Sequence, residues 1–280
     1  MTVINDNIAA MITSNTMNET NRSMQTTLER LSTGLRINHA SDDAAGMSVS
    51  QQMESQIRGL KMGNQNIQDG IALMNIADGC MSQVEDMLQR MRELAVQSSN
   101  DTLTSVERGY IQAETSQLQS EVNRIVSGTE YNGQQLLNGV SPWGAGTGGI
   151  IHVGPNNTLT ADIIQYRIPG VNTTSLGIDT MTMTSQSDAT AAITSLDAAL
   201  HSVNTIRANL GAIVNRLEHA LNNQESQQTN MQAAESVITD TDFATESTKY
   251  SKNQILIQSA TAMLAQANTL PQNVLNLLKG

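Results

Sequence analysis

Leu196-Asp197-Ala198-Ala199-Leu200-His201-Ser202-Val203-Asn204-Thr205-Ile206-Arg207-Ala208-Asn209-Leu210, running on to Leu221, is the stretch that decides the fold. Its stripe of Leu196, Leu200, Val203, Arg207, Leu210, Val214, Leu217 and Leu221 steps by 4, 3, 4, 3, 4, 3 and 4. That spacing keeps one face of a helix against a partner over many turns, which a strand with its period of two cannot do. Upstream, Ile57, Leu60, Asn64, Ile67, Ile71, Met74, Asp78 and Met81 repeat the pattern, with Leu73, Ile76, Cys80, Met87, Met91 and Leu94 beside it. Two stripes on one helix call for neighbours on two sides, so a bundle is expected rather than a simple two-stranded coil. From Ala44 to about Gln97 the helix would be about 80 Å long at about 1.5 Å per residue.

Both ends carry narrower stripes: Met24, Leu28, Leu31 and Leu35, and then Leu256, Ala260, Met263, Ala267, Leu270, Val274 and Leu277, the latter crossing Pro271 with a local kink expected. Gly34 reads as a helix stop, and Ser41, Asp42 and Asp43 as the capped start of the next helix. Thr104 with Glu107 is a capping-box spacing, opening a helix to about Val126. Each terminal segment offers only one apolar side, and ordering it costs on the order of 1–2 kcal/mol per residue. The termini are therefore expected to be largely disordered in a free subunit and helical on assembly.

Helix punctuation is concentrated between Asn138 and about Asp188. Pro142, Pro155 and Pro169 fall there with Gly144, Gly146, Gly148 and Gly149, around the short apolar runs Gly149–Val153 and Ile163–Tyr166. These read as loops and short strands. The expected fold is mainly α: long antiparallel helices in a bundle or coiled coil, with a small β-hairpin and loop insert. The chain divides into terminal helices 1–40 and 240–280 as one domain, and a helical shell over 41–239 that includes the insert at 138–188.

Composition narrows the function. Aromatic residues are 2% of the 280, with Met at 15, so a thick core built on large rings is not available. The net charge of −11 opposes binding to nucleic acid, whose phosphates need a basic face, and to an anionic membrane surface. Only 15% of residues are charged, a surface that can be covered by copies of itself at little desolvation cost. Residues 1–35 hold no apolar run of signal-peptide length, and no run is long enough for membrane insertion.

Catalysis finds little support. His39, His152, His201 and His219 are scattered, with no zinc-protease spacing and no phosphate-binding glycine loop, so no catalytic residue, metal or cofactor is expected. The Gly144–Gly149 run lies outside a strand-to-helix context and reads as flexible. The Asp42-Asp43 pair fits a helix cap better than an acid/base site. Cys80 lies on an apolar stripe, so burial is expected rather than redox chemistry. Asn156-Asn157-Thr158 and Asn172-Thr173-Thr174 match a short glycosylation pattern of low specificity, and residues 172–187 offer hydroxyls for O-linked sugar.

Several blocks together resemble the bacterial flagellins. They are Asn5–Ala10, Leu31-Ser32-Thr33-Gly34-Leu35-Arg36-Ile37-Asn38, Asp42-Asp43-Ala44-Ala45-Gly46, Gln89–Gln97 and Glu130–Leu137. In the second half they are Ile206–Ala212, Ile238–Glu246, Met263–Asn268 and Pro271–Leu275. The match covers about 1–140 and 190–280 in order, leaving the insert unmatched.

The resemblance implies a secreted structural subunit of the extracellular flagellum, exported unfolded by the flagellar type III apparatus and polymerising with itself. The terminal stripes would then line the assembly core. A chaperone, a filament cap and junction proteins are implied as further partners. An insert of about 50 residues leaves no room for an outer decorating domain. Gln89, Arg90, Leu94, Gln97, Ile111 and Glu114 stand where the family has the surface sensed by a vertebrate Toll-like receptor; an arginine fork beside a carboxylate with apolar anchors is a typical hot-spot composition. The same patch would meet the next subunit in a filament. Rival readings are the hook–filament junction protein of the same family and a type III translocator or needle-tip protein; the second would lack the Asp42–Gly46 and Gln266–Val274 blocks.

Overall fold

The computed structural model describes residues 6–139, 148–158 and 160–278, the side chains from 270 onward excepted. Among the described residues there are five helices: α1 (Ile8–Thr33), α2 (Ala44–Ser98), α3 (Ser105–Gly128), α4 (Gln186–Thr239) and α5 (Phe243–Leu278). Between α3 and α4 the described residues form two short antiparallel pairs, β1 (Glu130–Tyr131) with β2 (Gln134–Gln135) and β3 (Gly149–His152) with β4 (Ile163–Tyr166). The mainly helical fold with a small β insert is as the spacing required. The Gly144 and Gly146 of the glycine run, and Pro142, lie outside the described residues.

Local chemistry sets the helix ends. Gly34 takes φ 74° and its N–H reaches the Arg30 carbonyl, a left-handed stop that a side chain would strain. The Thr104 hydroxyl accepts from the Glu107 N–H while the Glu107 carboxylate accepts from the Thr104 N–H at 2.7 Å. The backbone N–H and then the hydroxyl of Thr104 hold the Glu107 pKa below its ordinary value. At the start of α2 the expectation divides. Asp43 Oδ1 caps the Gly46 N–H at 2.9 Å, but Asp42 accepts from the backbone of Asn38 and His39 instead and closes the preceding loop. α5 continues as helix past Pro271.

The chain forms two compact units, Met1–Ser55 with Asn230–Gly280, and Gln56–Thr229. The second holds the apolar core. Leu60, Ile67, Met74, Met81, Leu88 and Met91 of α2 are fully buried, as are Leu196, Val203 and Leu217 of α4. These α4 residues keep the sevenfold spacing of the expected stripe, but Ala199 and Ile206 are the buried intervening positions where Leu200 and Arg207 were counted. Arg207 turns its guanidinium to Asp78 at 2.8 Å and to Glu85. On α2, Ile76 is 41% exposed and Cys80 half-buried, so the second stripe is the weaker one.

The insert is more than a loop. Ile168, Val171, Ile178 and Met183 are buried and add to the core. Polar residues of α3 hold this segment by its backbone: Gln112 accepts from the Met183 N–H at 2.6 Å, Gln119 donates to the Ile178 carbonyl at 2.6 Å, and Asn123 accepts from the Thr173 N–H at 3.1 Å. On the α2 side, a Cβ at Gly63 would strike the Val153 carbonyl and one at Gly70 would strike Ile151, so glycine is what admits β3 and the residues after it. Gln224 of α4 donates to the same Val153 carbonyl. The β1–β2 hairpin, which the sequence reading left unassigned, turns on Asn132 and Gly133, both at positive φ.

Candidate functional site

In the first unit, α1 and α5 run antiparallel. Asn7 Nδ2 donates to the Ala267 carbonyl at 2.9 Å, Asn253 Nδ2 to Ser23 Oγ at 3.0 Å, and Arg30 faces Glu246 at 3.7 Å, with Lys249 on the same carboxylate at 2.9 Å. Thr27, Glu246 and Asn253 are buried along this seam. A buried carboxylate between two cations and a paired amide make the seam polar and specific in register, since slippage would leave charges unpaired.

The apolar residues of the pair mostly face outward. Ile8, Met11, Ile12 and Leu28 of α1, and Ile255, Leu256 and Met263 of α5, are exposed large hydrophobics, Met11 by 62% and Met263 by 63%. Of the stripe anticipated as an assembly core, Leu28, Leu256 and Met263 are exposed, Met24, Leu31 and Ala260 are half-buried, and Ala267 is buried. The side chains of Leu270, Val274 and Leu277 lie outside the described residues. Sequence counting missed Ile8, Met11, Ile12 and Ile255; the three- and four-residue steps from Ile8 to Met11 and Ile12 could have found the first three.

The loops joining these helices interlock. Arg36 sends its backbone N–H to the Thr239 carbonyl and its guanidinium to the Ile238 carbonyl, both at 2.6 Å, placing a cation at the C-terminal end of α4. Thr241 N–H reaches the Gly34 carbonyl at 3.0 Å. Asp242 caps α5 through the Ala244 and Thr245 N–H groups and the Thr245 hydroxyl, which hold its pKa below the ordinary carboxylate value, as the His39 and Asn38 N–H groups do for Asp42.

The second surface lies on α2 and α3. Arg90 binds Glu93 at 3.0 Å and Glu114 at 2.9 Å, and these carboxylates push its pKa further up. Gln89, Arg90, Gln97 and Glu114 are exposed. Leu94 and Ile111, expected as apolar anchors of the same patch, are 2% and 8% exposed and belong to the core between the helices. They face inward because they share the heptad face of Leu88, Met91 and Thr115. The exposed apolar groups nearby in sequence are instead Val96, Val106 and Tyr110, none of them anticipated.

Among the described residues, no group of three or more His, Cys, Asp or Glu is placed to hold a metal ion. No described helix is long and apolar enough to cross a membrane.

The geometry is that of a helical building block with uncovered apolar helix faces, and comparison with known proteins agrees. Residues 4–141 match the family described as the bacterial flagellin N-terminal helical region, and residues 193–278 the bacterial flagellin C-terminal helical region. The flagellar filament 33 kDa core protein of Treponema phagedenis is 42% identical over 99% of this chain and 100% of its own length. The flagellin of Bacillus subtilis is 39% identical over 99% of each chain. A solved structure described as a flagellar hook-associated protein of Vibrio parahaemolyticus superposes with a TM-score of 0.58 at 12% identity, covering 70% of this chain and 99% of that one; it shares the fold alone. With both helical regions matched in order and full-length relatives at this identity, the chain belongs to the bacterial flagellin family.

Proposed function

We propose that this chain is a structural, non-catalytic subunit that polymerises into a flagellar filament. The observation that carries the reading is the terminal helix pair. Its seam carries polar contacts made within the chain, while Ile8, Met11, Ile12, Leu256 and Met263 remain exposed. Leaving that much apolar surface in water is unfavourable at about 25 cal/mol per Å², and repeated copies would cover it. The full-length relatives named as filament core protein and flagellin support this role. In this reading the helices of 1–40 and 240–280 form the inner tube and residues 41–239 the surrounding shell. Export of an unfolded chain to the extracellular flagellum, a chaperone for the C-terminal helix, a cap and junction proteins at the filament ends follow from the same role. The likeness to a hook-associated fold at 12% identity gives no preference to a junction protein.

Electron microscopy of the purified chain seeded with filament fragments tests this. Long tubes are expected from the intact chain and none from variants lacking 1–35 or 245–280. An intact chain that never elongates rejects the filament subunit; a truncated chain that does elongate moves the assembly role to other helices. The exposed Arg90 and Glu114 pair, with Gln89 and Gln97, is proposed to serve primarily as a subunit contact and secondarily as the patch sensed by the vertebrate Toll-like receptor. Arg90→Ala should weaken receptor signalling by the monomer in a reporter assay, and unchanged signalling removes Arg90 from that role.

A further inference from the structure

The face that α4 turns to α2 changes chemistry at one end of the core. Leu210 and Leu217 are buried on it, and the next residue at the same spacing is Gln224, only 6% exposed. Opposite stand Gly63 and Asn64 of α2, between the fully buried Leu60 and Ile67. A Cβ at Gly63 would stand 3.0 Å from Gln224 Oε1, and Asn64 Nδ2 donates to Gln228 Oε1, one turn further along α4, at 3.4 Å. Gln224 donates its amide nitrogen to the Val153 carbonyl; turned over, it would set oxygen against oxygen. Its Oε1 and the Oδ1 of Asn64 are both buried and, among the described residues, receive no hydrogen bond. Two such acceptors in one layer call for an explanation, because buried polar groups in folded proteins are nearly always paired. All of these residues belong to the second unit, so the layer does not involve the terminal helices.

We infer that this amide layer is the binding site of one resident water, which donates one hydrogen to Gln224 Oε1 and the other to Asn64 Oδ1. The chemistry selects the ligand. Both open groups are acceptors, so the occupant must donate twice, as a water does. The groups of the layer, the amides of Asn64, Gln224 and Gln228 and the Val153 carbonyl, are all neutral, whereas a hard divalent cation is held by carboxylates. The water also accounts for amides standing where leucines would continue the stripe. Gln224 keeps its nitrogen on the Val153 carbonyl, holding the residues after β3 against Gly63, without stranding its oxygen when that oxygen has a donor of its own. The site is thereby part of the anchor that fastens the insert to α2 and α4, beside the direct bonds from α3.

A crystal structure of the full chain, at a resolution that shows ordered solvent, tests this on the unaltered protein. One solvent peak should lie within hydrogen-bond distance of both oxygens. A dry layer, or amides turned onto protein donors, overturns the inference. Denaturant melts of Asn64→Leu, Gln224→Leu and the double variant read the site in solution. Each single change removes one acceptor of the water and loosens its hold on the other, and should raise the unfolding constant about ten-fold. The double change removes both acceptors, and its effect should fall short of the product of the singles by about five-fold or more. A double variant that equals that product overturns the shared water. Melts of the wild type should coincide in sodium, potassium and choline chloride at equal ionic strength. A midpoint that follows the identity of the cation assigns the site to an ion and overturns the water.

Discussion

The α1–α5 pair and the core of α2, α3 and α4 share one heptad grammar but bury opposite chemistries. In the core, the inward positions are Leu60, Ile67, Met74, Met81 and Leu88, and charge is held at the edge by Arg207 with Asp78 and Glu85. In the terminal pair, Thr27, Glu246 and Asn253 are buried along with Ala267, while Met24 and Leu31 are half-buried and Ile8, Met11, Ile12, Leu28, Ile255, Leu256 and Met263 lie outside. The core is a finished object, with stability set by its own packing. The pair has a specified register and an unfinished surface. Periodicity states that a helix has a preferred face; which face meets its own chain depends on where polar groups find partners.

The sharpest way to break this comparison is to truncate one leucine in each region. Leu88→Ala should destabilise the monomer by about 2–5 kcal/mol, the cost of a cavity in a dense interior. Leu256→Ala should change monomer stability by less than about 0.5 kcal/mol, as a surface substitution does, while slowing seeded elongation. Denaturant melts of the two variants decide it, and equal losses would show that the pair is as closed as the core. Next in size, Arg207→Met leaves Asp78 and Glu85 without their shared cation, and should cost about 1.5–3 kcal/mol in the same melts. A loss that vanishes in high salt would reduce the Arg207 contacts to screened surface attraction.

Thr104→Ala removes the α3 cap and should cost about 1 kcal/mol, with Thr104→Ser restoring most of it. The smallest effect is the acid response of the first unit. The folded pKa values of Asp42 and Asp242 lie below their unfolded ones. Their contribution is therefore complete above the unfolded carboxylate range and is lost as pH falls through the folded values. Amide exchange of the 38–42 loop and the start of α5 should rise over that acid window. Asp42→Asn and Asp242→Asn should each flatten the response locally, and an unchanged profile would show that these caps do not carry it.

Much of this was legible in the residues because it depends on near neighbours. The heptads of α2 and α4, the Gly34 stop, the Thr104–Glu107 box and the Gly149–His152 and Ile163–Tyr166 strands all arise from spacing or turn chemistry within a few residues. The Asn132-Gly133 hairpin was equally readable and was passed over. The Arg90–Glu114 pair was anticipated by family resemblance, but the inward turn of Leu94 and Ile111 was not, because an apolar residue beside a charged one can serve either face.

What the sequence determined by itself is the helical architecture, the position of the insert and membership of the family, since local propensity and motif order carry those. Tertiary structure alone decided which side of each terminal helix is closed. It also decided that Gln112, Gln119 and Asn123 grip the insert, and that Gly63 and Gly70 admit β3. Those outcomes join residues from 50 to more than 200 positions apart, and only packing brings such partners within hydrogen-bond reach.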